Sequence, residues 1–295
     1  MKISRCVVSL LILLMPLSML AQGVVDKDVL EDMKVEVSTK DTLIDYEVVP
    51  YKKVGTKQFV VRVYTPDEER FSGVRPAVVI IHGGGWGGGS PDTFIPHARY
   101  FRDRGMKVFV ATYRLANEKT KLPPSECLVD TKSAIRFVRA NASKFNIDPN
   151  RIVASGGSAG AHLSAAAALI DGFNDEGDDL SISAIPNALV LFSPVIDNGP
   201  GGFGYDRVKE YYKDFSPLHN IRQGMPPTVS FLGTKDSLIP VVTMQYFHEM
   251  IERVGSRSEL YIYEGQAHGF FKSEKYFPET MGKAMVFLEE VGIVE

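Results

Sequence analysis

Apolar residues along this chain follow two rhythms. Residues 46–49 and 58–64 are rich in β-branched and aromatic side chains and read as opening antiparallel strands. The unbroken apolar run 77–81 suits a strand buried on both faces. Residues 107–112, 188–192, 228–232 and 260–263 continue the series, and Arg151-Ile-Val-Ala leads into a glycine-rich turn. Between these runs the period lengthens to that of helices. Residues 93–104 form one such stretch, stopped by Gly105, and 126–141 form another with Leu128, Ala134, Ile135 and Val138 apolar. Residues 241–254 and 279–291 complete the set. Strands alternating with helices imply an α/β architecture, a mainly parallel, doubly wound sheet with helices on both faces.

The pattern breaks in three places. Residues 24–40 are mixed and charged, a surface lead-in. Residues 197–221 hold four glycines, Pro200, Phe203, Tyr205, Tyr211 and Tyr212 between two strands. That stretch is either a surface connection or a short lid, since long loops often carry function. The first 21 residues carry Lys2 and Arg5, an apolar run over 7–20 containing Pro16, and then Ala21, the layout of a cleavable export signal. A membrane anchor is the competing reading, but the run is short for a spanning helix. The expectation is an exported, periplasmic or secreted protein with a signal over 1–21 and a single domain over 22–295. No later stretch has the length to span a bilayer, no internal repeat interrupts it, and no large cap is expected.

Composition changes this picture little. The 44% hydrophobic content supports a sizeable core in 295 residues. Without Lys2 and Arg5, 31 basic residues face 36 acidic ones, a formal charge of −5, which argues against a nucleic-acid partner. Cys6 lies in the leader, so a mature chain would keep only Cys127 and form no internal disulfide. No Cys/His cluster has metal-ligand spacing, and neither a metal nor an organic cofactor is expected.

The chemistry concentrates in three glycine-flanked places. Gly156-Gly-Ser-Ala-Gly160 follows a strand and opens a helix of small residues. Its flanking glycines allow a turn sharp enough to leave the Ser158 hydroxyl exposed above the strand ends. A serine hydroxyl needs a histidine to take its proton and an acid to orient that histidine. His268 comes just after the strand 260–263, at the edge where parallel strands end. His162, one helical turn beyond Ser158, reads as a packing or hydrogen-bonding residue, and His97, His219 and His248 as ordinary ones. Asp236, after the strand 228–232, is the best acid, with Asp197 and Glu264 as rivals. Ser158, Asp236 and His268 run in the chain order this architecture needs. His82-Gly-Gly-Gly-Trp86 lacks the Gly-Lys-Ser/Thr ending of a phosphate loop. Paired with the serine turn it matches an oxyanion hole, with the amides of Gly84, Gly85 and Ala159 as donors and His82 as a brace. Trp86, Phe203, Tyr205 and Phe270 are loop rings expected near the catalytic edge.

With His82-Gly-Gly-Gly85, Gly156-Gly-Ser-Ala-Gly160, the Asp236 loop and His268 in this order, the chain resembles an α/β-hydrolase esterase of the hormone-sensitive-lipase-like group over roughly residues 46–291. Tyr113-Arg-Leu-Ala116 and Ile147-Asp-Pro-Asn-Arg151 also fall where that group has similar segments. The chain departs from the larger members in having no long helical N-terminal segment to build a cap. In that respect it is similar to exported bacterial esterases that remove acetyl or feruloyl groups from plant polysaccharides. The resemblance implies a serine carboxylesterase acting on a small ester or an acylated carbohydrate, with acetylated xylan one candidate. A feruloyl esterase or a secreted serine peptidase of the same fold is the enzymatic alternative. A non-catalytic binding protein on the same scaffold is the alternative from another class, and it would be expected to have lost one of the three polar residues.

Overall fold

The computed structural model describes residues 45–295; the expected leader and the charged lead-in lie outside the described residues. Among the described residues no helix is long and apolar enough to cross a membrane.

Strands β1 (Glu47–Val54), β2 (Lys57–Tyr64), β3 (Arg75–Ile81), β4 (Lys107–Ala111), β5 (Ile147–Gly157), β6 (Ala188–Phe192), β7 (Thr228–Gly233) and β8 (Ser258–Tyr263) form one sheet. Their spatial order is β1-β2-β4-β3-β5-β6-β7-β8. β1, β2 and β4 pair antiparallel at one margin; every pairing from β4 to β8 is parallel. The expected fold class is therefore the observed one.

Alternation along the strands divides the core into two layers, because successive side chains leave a strand on opposite faces. Ala77, Val79 and Ile81 of β3 meet Leu189 and Leu191 of β6 on one face. There they pack beneath helices α2 (Ser125–Ala140), α4 (Ala159–Leu169) and α7 (Val241–Arg253). Val78, Ile80, Val190, Phe192 and Phe231 face the other way. They are covered by α1 (Ile95–Arg102) and α8 (Phe277–Glu290). A short helix, α3 (Ala142–Phe145), precedes β5. The α4 helix lies unusually close to the sheet: a Cβ on Gly160 would stand 2.1 Å from the Ile81 carbonyl oxygen. Its run of alanines gives a helix surface with little to hold it off.

The structure differs from the sequence reading mainly in boundaries. The helix expected over 93–104 is a 3₁₀ turn, Pro91–Phe94, followed by α1. Ser90 caps the turn by accepting the Asp92 amide, which fixes its start. Between β6 and β7, the stretch expected as connection or lid contains two single-turn helices, α5 (Tyr205–Val208) and α6 (Tyr212–Phe215), and a 3₁₀ turn. This insert is anchored to the body. Val208 and Phe215 are fully buried, and Leu218 donates its amide to Ile196.

Candidate active site

Because β3, β5, β7 and β8 are parallel, the loops that follow them leave the same edge of the sheet. These four loops carry His82, Ser158, Asp236 and His268. Ser158 follows the last residue of β5 with φ +57° and ψ −124°, a left-handed backbone in a non-glycine residue. Its amide donates to Phe192 of β6, and its carbonyl accepts from His162 one turn into α4. The surrounding hydrogen bonds therefore hold a conformation that the chain would otherwise avoid.

The loops after β7 and β8 are stitched together by their backbones. Lys235 donates its amide to Gln266 and Thr234 to Tyr263, while Gly265 donates to the Thr234 hydroxyl. This brings Asp236 Oδ2 to 2.8 Å from His268 Nδ1. The other carboxylate oxygen, Oδ1, accepts the amides of Leu238 and Ile239. The Asp236 side chain is 0% exposed and that of His268 24%, so the acid is enclosed and the base reaches solvent. Asp197, the rival acid, turns back on its own chain to accept the Gly199 amide at 2.8 Å. Past His268 the chain enters a 3₁₀ turn, Phe270–Lys272. Its Phe271 ring packs so close beneath the serine turn that a Cβ on Gly157 would lie 2.6 Å from Cζ. That packing sets the His268 loop beside Ser158. Among the described residues, no hydrogen bond joins Ser158 Oγ to His268; such proton-transfer contacts tighten around bound substrate.

The glycine loop after β3 runs against the serine turn. A Cβ on Gly83 would sit 2.7 Å from the Gly157 carbonyl oxygen and 3.3 Å from Ser158 Cβ, so only glycine allows this approach. Among the described residues, the amides of Gly84, Gly85 and Ala159 donate to no group of the chain, which leaves them available to an incoming oxygen. The loop's carbonyls, by contrast, are engaged. His82 Nδ1 lies 2.8 Å from the Gly83 oxygen, and Tyr113 donates its hydroxyl to the His82 carbonyl at 2.8 Å while stacking on the His82 ring. Burial pulls the His82 pKa down, favouring the neutral ring. Tyr113 and Ala116 belong to the Tyr113-Arg-Leu-Ala116 segment. Arg114 within it forms a two-point pair with the buried Asp130 of α2, which ties that segment, and through it the glycine loop, to the core.

Two of the four loop rings expected near the catalytic edge lie in its loops but are buried. Trp86 is 0% exposed. Its own φ of +62° turns the indole under the loop, where Nε1 donates to His162 Nδ1 at 3.3 Å and the ring meets Phe203 and Phe215. Phe270 is also buried, packed on Tyr263 and Tyr276 in the core layer that holds Val78 and Ile80. Phe203 and Tyr205, both half-buried on the insert, are differently placed. The Phe203 ring lies 3.8 Å from where a Gly85 Cβ would be. His162 is the packing and hydrogen-bonding residue expected. Its Nε2 lies 3.1 Å from the Phe215 carbonyl, and burial pulls its pKa down to about 3.

Two cavities lie among the neighbouring loops, neither lined by Ser158, Asp236 or His268. One of about 40 Å³ is lined by Ile196, Phe203, Leu238, Ile239 and others beside the Asp236 turn. Another of about 650 Å³ lies between Gly87, Asn117, Pro123, Pro124 and Arg207. A third of about 730 Å³, around Asn187 and Pro227, opens where β6 and β7 begin, away from this chemistry.

The arrangement brings to one sheet edge a hydroxyl on a strained turn, a carboxylate–imidazole pair and three backbone amides that donate to no group among the described residues. The solved structure of Thermogutta terrifontis esterase 2 phosphoramylated by tabun superposes with a TM-score of 0.80 at 38% identity, over 85% of this chain and 96% of that one. The chain belongs to the α/β-hydrolase esterase family. A family model described as BD-FAE matches residues 61–197, which include the glycine loop and the serine turn. The propionate-bound form of the Thermogutta esterase is similar at 37% identity and TM-score 0.79, over 85% of this chain and 96% of that one. An acetylxylan esterase of Xylanibacter ruminicola is 30% identical over 191 residues, 58% of this chain and 36% of that protein. The chain spans about a third to a half of the length of the curated relatives it matches.

Sequence reasoning passed over the residues that hold the site rather than line it. Asp130 and Arg207 sit in a helix and an insert with no motif around them, and Tyr113 was noticed only through its resemblance segment.

Proposed function

We propose that this chain is a serine carboxylesterase that hydrolyses short-acyl esters through an acyl-serine intermediate. The observation that carries the reading is the Asp236–His268 pair, 2.8 Å apart on the sheet edge that presents Ser158. Ser158 Oγ attacks the ester carbonyl while His268 Nε2 takes its proton, and Asp236 holds the Nδ1–H tautomer. The amides of Gly84, Gly85 and Ala159 receive the oxyanion. His268 returns the proton to the departing alcohol and then activates water to release the acid.

A short acyl group agrees with the propionate bound to the Thermogutta esterase. Similarity to an acetylxylan esterase supports an acetylated xylan as substrate, and the leader-like pattern of residues 1–21 supports export as the setting.

The test is a screen of p-nitrophenyl esters from acetate to decanoate, with acetylated xylan, a feruloyl ester and amino-acid amides alongside. Acetate or butyrate should lead, and Ser158→Ala should lower kcat about 10⁴-fold or more while the protein still folds. Full activity in Ser158→Ala overturns the mechanism. A kcat/KM that climbs steadily to decanoate overturns the short-acyl reading. Preferred turnover of the amides would make the chain a peptidase.

A further inference from the structure

Each carbonyl of the glycine loop from His82 to Gly87 has a hydrogen-bond donor. His82 accepts from Tyr113 and Gly83 from the His82 ring. Gly84 accepts from the amides of Gly87 and Gly88, and Trp86 from the amide of Ala116; Gly87 accepts from the Asn117 side chain at 2.8 Å. These donors come from the loop itself or from the segment after β4. Gly85 is the exception. Its carbonyl accepts from Arg207 Nη1 at 2.6 Å, reaching across from α5 of the insert. Arg207 Nη2 holds the Ala116 carbonyl at 2.6 Å, and the guanidinium lies over the Trp86 ring, 5.3 Å from its centroid.

We infer that Arg207 is the positioning residue of the oxyanion hole, locking the Gly85 peptide from the insert; this rests on the esterase reading above. The argument is conformational. Gly85 stands at φ +58° and Trp86 at φ +62°, and a glycine has no side chain to resist rotation of the peptides on either side of it. If its carbonyl loses its donor, the Gly85–Trp86 peptide at the centre of the Gly84–Gly87 turn can rotate toward solvent, and the turn that positions the adjoining Gly85 N–H loosens with it. A guanidinium is suited to prevent this. Its planar fork spans two carbonyls at once and its charge strengthens both bonds. The same fork joins the loop to the segment after β4, so the insert acts as a clamp on the hole.

The experiment measures kcat and KM on p-nitrophenyl acetate, inhibition by a trifluoromethyl ketone and melting temperature. The proteins are the wild type, Arg207→Met, Arg207→Lys and the insert control Lys209→Met. Arg207 is exposed, so its replacement leaves the core intact. Arg207→Met should lower kcat about 10- to 100-fold, somewhat less than deleting an oxyanion donor outright, with KM moving less than about threefold. Trifluoromethyl ketone affinity should fall by the same factor as kcat, since both depend on an oxyanion in the hole. The acid limb of the pH profile should not move, because the His268–Asp236 pair is untouched. Arg207→Lys, which keeps the charge but spans one carbonyl, should fall between, and Lys209→Met should match the wild type. A kcat within about twofold of wild type in Arg207→Met overturns the inference, as does a loss confined to KM or to melting temperature. If Arg207→Met does not fold, Arg207→Lys decides by the same criteria. A wild type without Ser158-dependent activity would instead overturn the esterase reading itself.

Discussion

The two halves of the site are held in different ways. The oxyanion half is fixed at almost every atom: its carbonyls are bonded, Trp86 is sealed beneath it and His162 is buried behind it. The acid–base half rests on one buried carboxylate and a histidine that is a quarter exposed, joined because two loops share backbone hydrogen bonds. The difference matches what each half has to do under the proposed mechanism. Donors that stabilise a developing charge act best when no reorganisation is needed at the moment of reaction. A base that first takes a proton and later gives it to another group must reach two positions. Rigid donors beside an adjustable base follow from that division.

The largest effect should come from the acid–base half. Asp236→Asn keeps an oxygen for the Leu238 and Ile239 amides but permits the wrong imidazole tautomer, so kcat should drop about 10⁴-fold with little change in melting temperature. Asp197→Asn, which keeps an oxygen for the Gly199 amide, serves as the control. Equal losses in the two variants would erase the contrast between a mobile base with one partner and its neighbours.

In the oxyanion half the expected penalty is one of stability. Trp86→Ala empties a fully buried site and strands the His162 nitrogen, and should cost about 3–5 kcal/mol in a urea melt. Trp86 is also the single tryptophan of the chain, so wild-type fluorescence reports directly on this half. If fluorescence changed well before the far-ultraviolet signal of the sheet, the oxyanion half would be the softer one and the comparison would invert.

Acid sharpens the comparison further. Burial pulls both His162 and His97 down to about 3. Above about pH 6.5, the ordinary histidine value, the folded and unfolded chains both keep these rings neutral. As pH falls from there toward 3, the unfolded chain takes up protons that the folded one refuses. Stability is therefore lost by about 1.4 kcal/mol per pH unit for each ring. His162 has a partner at both nitrogens. His97 has none among the described residues and sits in a cage of Phe94, Phe192, Phe271 and Phe277. His97→Leu should thus reduce the stability lost between pH 6 and pH 4.5 by about 2 kcal/mol without touching the oxyanion loop. An unchanged acid dependence would mean that His97 is not the refused proton.

Most of the fold was legible because its signals are local. A buried parallel strand must be apolar on both faces, and a helix on its surface must be apolar on one, so the order of elements could be read directly from residue type. The serine turn and the glycine loop were legible for the same reason, since tight turns and close backbone approaches leave glycine where a side chain would collide. Asp236 could be ranked above Asp197 from the sequence, but the physical reason is three-dimensional: both follow a strand and only one loop is stitched to that of His268.

The sequence alone determined the parallel sheet, its two helical layers and which loops share an edge, since these depend on periodicity and strand direction. Tertiary structure decided the rest. A positive φ at Trp86 turned a loop ring expected near the catalytic edge into the core, and packing on Tyr263 and Tyr276 buried Phe270 as well. The carbonyl that Arg207 holds lies 122 positions away along the chain. Hydrogen bonds of that span leave no trace in local composition, because any polar residue on a surface insert looks like solvated surface until the chain has closed around it.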